Sequence, residues 1–434
     1  MDVRDPIHGA IPLTADEMAV ADHPWMQRLR WIRQTGFSEL SFPGATHSRF
    51  LHSVGVMHLA GRAFDQAYAD WSFASADARS RFRQAVRLAA LCHDLGHAPF
   101  SHCMEFCMPS LSSLGLRWPK AQAPRRASHE DYTIAVLERT ELGEVVSAAF
   151  SGTARHVASL IDPSVRPGDD FFQDGGLDHR RCLSQIVSSE LDVDRMDYLV
   201  RDAFFTGANY GQVDVGWLMS NLSIWIADGQ VNLAVQGRAV YAFDHFLLAR
   251  HHMFLMVYFH HKSVIYEELL RRYVTSDEST WEMPSDLDAY RAIDDPALMV
   301  HLRQSDHPMA RRVVEQRPYQ RVLERHGDER TADLTQEASA LEAAGLDVVR
   351  ASSTGRLSRY EQFGNKRRRA KPIYVIDPLV QPGGTRPGAR STVRLQDASQ
   401  VFARYADERV IGRLYVPPEQ LDAARQVVAR GVGA

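Results

Sequence analysis

The chain has 434 residues, 45% apolar and 24% charged, ordinary proportions for a protein that buries a sizeable core. Its 50 basic and 54 acidic residues leave a net charge of −4, which argues against a dedicated nucleic-acid coat. The four cysteines, Cys92, Cys103, Cys107 and Cys182, form no CxxC pair; they make a poor zinc signature and fit free thiols in a reducing compartment.

The charged start, Met1-Asp2-Val3-Arg4-Asp5, has no secretory pattern. The longest apolar run, Phe243 to Phe259, is broken by Asp244, His245, Arg250, His251 and His252, so a cytoplasmic protein outside the membrane is expected. In chain order, a turn-rich opening (Asp5-Pro6-Ile7-His8-Gly9) precedes a helix from Asp16 through Trp31. Pro43-Gly44 marks a loop before a helix beginning near His47. Arg81 to Asp94 reads as a helix with Val86, Ala89, Ala90 and Leu91 on its apolar face, stopped at Leu95-Gly96. A Pro-, Ser- and Arg-rich excursion, Ser110 to Ser128, leads to helices over His129–Leu142 and Cys182–Thr206.

Asp228-Gly229 between two apolar runs predicts a hairpin over Ile224–Val235. A long helix is expected from Phe243 to about Tyr273, and helices with charged faces over 284–346. The composition shifts after Ser352, with strands at Lys371–Asp377 and Val410–Val416 and helices at Asp397–Ala406 and Pro418–Arg430. The expected fold is mainly α: a helical core over 1–275, a helical extension over 276–356 and a small α/β appendage over 357–434, with 382–389 a loop in it.

His52, His93, Asp94 and Asp194 are the strongest chemical signal. Adjacent imidazole and carboxylate groups at His93-Asp94 suit a metal better than an apolar core. Two imidazoles and two carboxylates leave open positions on an octahedral Mn²⁺, Fe²⁺ or Mg²⁺ ion, where water can be activated. Zn²⁺ suits the set less well, and Ni²⁺ or Co²⁺ fits the same donors. Asp194, Tyr198 and Asp202 recur at i, i+4 and i+8, one stripe with a ligand at one end and hydroxyl-binding groups beyond it. Asp197 and Arg201, also four apart, read as a helix ion pair. A second stripe, Arg250, Phe254 and Tyr258, offers a phosphate-reading guanidinium and a ring to wall a sugar or base. His97, His102 and His129-Glu130 lie nearby in sequence, and Glu105, three residues after His102, can fix its tautomer as a general acid requires.

The set His52…His93-Asp94…Asp194 matches the H…HD…D signature of the HD-domain metal-dependent phosphohydrolases. Longer motifs narrow the resemblance: Asp5-Pro6-Ile7-His8-Gly9, Gln27-Arg28-Leu29-Arg30, Phe42 through Phe50, His93 through His102, and Asp192 through Asp202. Together they resemble the deoxynucleoside triphosphate triphosphohydrolases, a branch that includes the vertebrate SAM-and-HD-domain enzyme and bacterial relatives. The likeness runs from residue 2 to about 275 and returns weakly in 368–416.

The resemblance implies cleavage between the 5′ oxygen and the α-phosphorus, giving deoxynucleoside and tripolyphosphate. By position, His52, His93, Asp94 and Asp194 hold the metal, and His102, supported by Glu105, protonates the leaving oxygen. His97 and His129 complete the catalytic group and, with Arg49, Arg195 and Arg250, contact the phosphates. Gln34 and Asp202 bind the sugar 3′-hydroxyl, and Tyr258 packs under the sugar and excludes a 2′-hydroxyl. A homo-oligomer, dimer or tetramer, is also implied.

Three departures stand out. Leu51 replaces the family's usual Glu, Arg195 replaces a Lys of the vertebrate enzyme, and no SAM domain is read. Asp22 and Arg30 match positions that read a nucleotide activator there, but only a short stretch precedes them. The Lys366-Arg367-Arg368-Arg369 run with Lys371 reads as a solvated loop or, alternatively, a phosphate-binding or weak nucleic-acid contact. The rivals to the leading reading are an HD phosphohydrolase acting on another nucleotide (a mono- or diphosphate or a specialised-metabolism nucleoside phosphate), a silent nucleotide-sensing scaffold, and a nuclease.

Overall fold

The helix Arg49–Ala67 runs through the middle of the protein, with Val54, Val56, Met57, Leu59, Ala60 and Phe64 all buried. A computed structural model describes residues 1–116, 124–355, 372–377, 391–399, 401 and 409–431. The central helix packs on the helices Ala76–Cys92 and Val193–Thr206; His52 lies on the central helix, Asp194 on Val193–Thr206, and His93-Asp94 directly follows the end of Ala76–Cys92. Burial of side chains such as Leu59 and Phe64 contributes about 1.5–3 kcal/mol each to holding the site's scaffold. The fold is mainly α, as expected.

Several elements depart from the sequence expectation, each for a local reason. The expected helix over 16–31 is split into Ala15–Ala21 and Pro24–Arg28, because Pro24 starts a new helix that His23 caps. The expected helix over 182–206 is two helices, Arg180–Val187 and Val193–Thr206. Between them the Asp192 carboxylate accepts from the amides of Ser189 (2.8 Å) and Arg195 (2.9 Å), closing one turn and capping the next helix. The long helix after residue 243 is Val240–Met253, a π-turn at Phe254–Tyr258, and a separate helix His261–Val274. The π-turn is marked by an i→i+5 bond from the Phe259 amide to the Phe254 carbonyl (2.9 Å).

The hairpin forms as read: Leu222–Ala227 pairs antiparallel with Gln230–Gln236 through Asp228 and Gly229, both at positive φ (51° and 70°). Gln230–Gln236 also pairs in parallel with Tyr374–Ile376, and Arg409–Val416 lies between Gln320–Gly327 and Val349–Gly355. Strand pairing therefore crosses the divisions at 275/276 and 356/357, and Gln320–Gly327 is a strand where helix was expected. Its charged sequence carries no alternation to read, and its partner lies far along the chain. A second apolar cluster, with Leu334, Leu341, Leu414 and Val416, fills this C-terminal unit. The basic run at 366–371, the loop at 382–389 and much of the expected helix at 397–406 lie outside the described residues. No helix among the described residues is long and apolar enough to cross a membrane.

Candidate metal centre and surrounding site

The His93-Asp94 pair lies in the turn just after the helix Ala76–Cys92, rather than on the helix itself. Thr133 secures that turn, donating from Oγ1 to the His93 carbonyl (3.0 Å) and accepting from the Gly96 amide (2.9 Å). Gly96 is required there, since a Cβ would stand 2.0 Å from the His129 carbonyl oxygen. His52 comes from the first turn of the central helix and Asp194 from the first turn of Val193–Thr206.

These four side chains converge. His52 Nε2 lies 3.1 Å from Asp194 Oδ1 and 3.8 Å from Asp94 Oδ2. His93 Nε2 lies 3.2 Å from Asp94 Oδ1 and 3.7 Å from Asp194 Oδ1. The other ring nitrogens are committed: His52 Nδ1 donates to Asp197 Oδ2 (2.7 Å) and His93 Nδ1 to the Ala90 carbonyl (2.7 Å). Both Nε2 lone pairs therefore point at carboxylate oxygens, an arrangement that a divalent cation satisfies. His93 Nε2 is buried without a hydrogen-bond partner, a donor atom left for such an ion. The residues fit a divalent metal.

Asp197 holds this centre from behind. It is fully buried and accepts from His8 Nε2 (2.6 Å), His52 Nδ1 (2.7 Å), and Arg201 Nε and Nη2 (2.7 and 2.8 Å). Burial works against its charge, but the Arg201 guanidinium and these bonds hold its carboxyl well below the usual range. Arg201 also donates to Asp5 Oδ2 (2.8 Å), so the N-terminal turn and the metal centre share one buried network. Gly55 makes the close approach possible, since a Cβ there would stand 2.2 Å from Asp197 Oδ1. Sequence reasoning took Asp197–Arg201 as a helix ion pair; the pair exists, and it also carries His52. The signal lay in the opening Asp5-Pro6-Ile7-His8-Gly9 motif, whose Asp5 and His8 both reach it.

Beyond Asp94 the site continues into a histidine cluster. His97 Nε2 lies 3.3 Å from Asp94 Oδ1, and its ring stacks on His129 at 4.0 Å and meets His102 edge-on at 4.8 Å. Glu105 Oε1 accepts from His129 Nδ1 and from His102 Nδ1 (3.2 Å). Burial opposes charge on Glu105, yet its two histidine partners hold it well below the usual carboxylate range. Burial, with the Arg49 charge, depresses His97 well below an ordinary imidazole, whereas Glu105 raises His129 against its own burial. The cluster thus sets one neutral histidine beside one favoured as a cation, and leaves His102 exposed on the open side.

On the far side of the metal set, Asp202 accepts from His47 Nε2 (2.7 Å) and from the Tyr258 hydroxyl (2.6 Å). Tyr198 meets Tyr258 edge-on at 6.3 Å between Asp194 and Asp202. The buried Gln34 Oε1 and His47 Nδ1 have no hydrogen-bond partner, as in a pocket built for a polar ligand. His47 was missed as a site residue, although it lies within the Phe42–Phe50 motif. The three arginines are each engaged with a carboxylate. Arg49 donates to Asp94 (2.6 Å) and to Ser101 Oγ (2.7 Å), Arg195 donates to Asp192 (2.6 Å), and Arg250 lies 3.7 Å from Glu190. Asp22 and Arg30 are exposed, with Arg30 stacked over Phe50 at 3.7 Å.

Residues 49–202 match the HD domain family and residues 213–347 the HD associated region. An uncharacterized protein of Methanocaldococcus jannaschii is 28% identical over 74% of this chain and 59% of its own length. A Dictyostelium discoideum protein named deoxynucleoside triphosphate triphosphohydrolase SAMHD1 homolog is 33% identical over 47% of this chain and 36% of its own. An uncharacterized protein of Bacillus subtilis is 31% identical over 54% of this chain and 46% of its own. The chain thus spans about half the length, or less, of the curated relatives it matches. The crystal structure of a hypothetical protein from Aquifex aeolicus has the same fold, with a TM-score of 0.72, 24% identity and 99% of each chain covered.

Proposed function

The chain belongs to the HD-domain family, and on that premise we propose that it hydrolyses deoxynucleoside triphosphates to deoxynucleoside and tripolyphosphate. The observation that carries the reading is the join between two clusters. The His52, His93, Asp94 and Asp194 set meets the Glu105-braced histidines across the 3.3 Å contact from Asp94 to His97. His52, His93, Asp94 and Asp194 would hold a divalent ion, which would supply Lewis-acid polarisation of a phosphate and activation of water. Beside it, His102 is held at Nδ1 by Glu105 and presents Nε2 for proton delivery.

In this reading water adds at the α-phosphorus and the P–O5′ bond breaks. The 5′ oxygen takes its proton from His102, the proton released by the attacking water restores His102, and deoxynucleoside and tripolyphosphate depart. Arg49, Arg195 and Arg250, with His97 and His129, receive the phosphate charge, using guanidinium donors beyond those already bonded to carboxylates. Gln34 and Asp202 take the sugar 3′-hydroxyl, and Tyr258, held by Asp202, closes the sugar floor. The name of the Dictyostelium discoideum relative favours a deoxynucleoside triphosphate as the substrate. The reading carries with it a cytoplasmic homo-oligomer, which light scattering checks.

The deciding experiment incubates the purified protein with Mn²⁺ and panels of dNTPs, NTPs, nucleoside monophosphates and single-stranded nucleic acid, then identifies products. Tripolyphosphate with free deoxynucleoside supports the proposal; orthophosphate released from a monophosphate overturns it. Asp94→Asn abolishes turnover if Asp94 is a ligand, and undiminished activity with metal in excess refutes the assignment.

A further inference from the structure

The segment 290–295, within the HD associated region, grips the catalytic loop at three points. The buried Tyr290 donates its hydroxyl to the Gly96 carbonyl (2.7 Å), and its ring stacks on Tyr132 at 4.0 Å. Arg28 bridges the two segments, donating from Nε to the Ile293 carbonyl (2.8 Å) and from Nη1 to the His97 carbonyl (2.9 Å). Asp295 is buried, and its carboxylate accepts from the Phe100 amide (2.7 Å) and the Arg33 amide (3.0 Å).

Asp295 opens the helix Asp295–Gln304, yet it does not cap it. Asp294 does so, accepting from the Ala297 amide (2.9 Å), which leaves the Asp295 carboxylate for the two loops. Those loops need holding. Phe100 and Ser101 have φ of 53° and 61°, two consecutive non-glycine residues in the left-handed region. Each costs on the order of 1–3 kcal/mol and persists only where its surroundings over-determine it. The turn aims Ser101 Oγ at Arg49 Nε, which it accepts, and at the Arg33 carbonyl, to which it donates. The next residue is His102, and Gln34 follows Arg33.

We propose that Asp295 is a positioning residue of the active site. It clamps the strained Phe100–Ser101 turn to the Arg33–Gln34 segment, and so fixes where His102, Arg49 and Gln34 stand. The inference rests on the hydrolase reading for its catalytic consequence, while the clamp itself is read independently of activity. A carboxylate suits the task because both partners are donors. An Asn amide offers one acceptor and turns an NH2 towards the second N–H. His52 and His93 are held from the other side, by Asp197 and the Ala90 carbonyl, so the clamp reaches the metal set only indirectly, through the Arg49 bond to Asp94.

The test uses Mn²⁺-loaded full-length wild type, Asp295→Asn and Asp295→Ala; the isosteric Asn variant carries the test if the Ala variant fails to fold. Hydrogen exchange at the Arg33 and Phe100 amides accelerates at least tenfold in the variants, with the rest of the fold exchanging as in wild type. On a hydrolysed dNTP, kcat falls ten- to a hundredfold, as expected for an ångström-scale misplacement of the proton donor. KM rises by less than kcat falls, and Mn²⁺ affinity changes less than threefold. Wild-type exchange at both amides overturns the clamp. A kcat per folded molecule equal to wild type overturns the positioning role and leaves Asp295 a fold residue. If wild type hydrolyses no dNTP, the function proposed above fails, and the exchange data alone decide the clamp.

Discussion

Asp197→Asn probes the metal centre without touching a residue proposed to bind the ion. The wild-type carboxylate collects four hydrogen bonds, from His8, His52 and twice from Arg201, in a place with no solvent access. Asn has one acceptor oxygen and must turn an NH2 towards at least one of those donors, leaving Arg201 with Asp5 as its one carboxylate partner. Breaking a buried pair from one side costs about 3–5 kcal/mol, so a large loss of stability is expected. The second effect is separate. Without a fixed acceptor at Nδ1, His52 no longer has one enforced tautomer, and Mn²⁺ affinity should fall about 10–100-fold. That is roughly 1.4–2.8 kcal/mol at 1.4 kcal/mol per decade. Urea titration measures the first and calorimetric Mn²⁺ binding to the folded variant measures the second. His8→Ala, which removes one of the four bonds, should give smaller effects of the same sign. A folded Asp197→Asn protein that binds Mn²⁺ within twofold of wild type would refute the reasoning.

Gly55→Ala puts a Cβ 2.2 Å from Asp197 Oδ1 and 2.3 Å from Arg201 Nη2, and should destabilise by about 1–3 kcal/mol while weakening Mn²⁺ binding. An unchanged melting temperature would contradict the packing described. Tyr258→Ala removes the ring and its bond to Asp202, and should relax rejection of ribonucleotides; an unchanged ratio of deoxy- to ribonucleotide turnover counts against its place under the sugar. Burial pushes the Asp295 carboxyl up to about 6, against the two amide bonds it accepts. The folded state therefore holds a proton that the unfolded chain, with a carboxyl near ~3.9, has released. Wild-type stability should accordingly fall as pH rises from about 4 to about 6, by on the order of 2–3 kcal/mol from this group. Asp295→Asn lacks that slope, so its stability relative to wild type should improve across the same window; a constant difference in denaturant melts would sink the assignment.

The sequence alone singled out His52, His93, Asp94 and Asp194 as a candidate metal set, because their chemistry is unsuited to a core, and the fold brings the four side chains together. It also determined the Asp228-Gly229 hairpin, since a two-residue turn at positive φ is a local requirement. Asp194, Tyr198 and Asp202 share one helix, as their spacing required. What failed were elements whose boundaries depend on side chains bonding back to the main chain, as at Asp192, or on distant strand partners, as for Gln320–Gly327. What stands behind the candidate ligands is visible only in the folded chain. Asp5, His8 and Gly55 join Asp197 and Arg201 from separate parts of the chain, and Asp295 reaches Phe100 from the associated region. Such support is non-local: a carboxylate's role depends on which donors the packed core delivers to it, and sequence spacing on one helix shows only the neighbours on that helix.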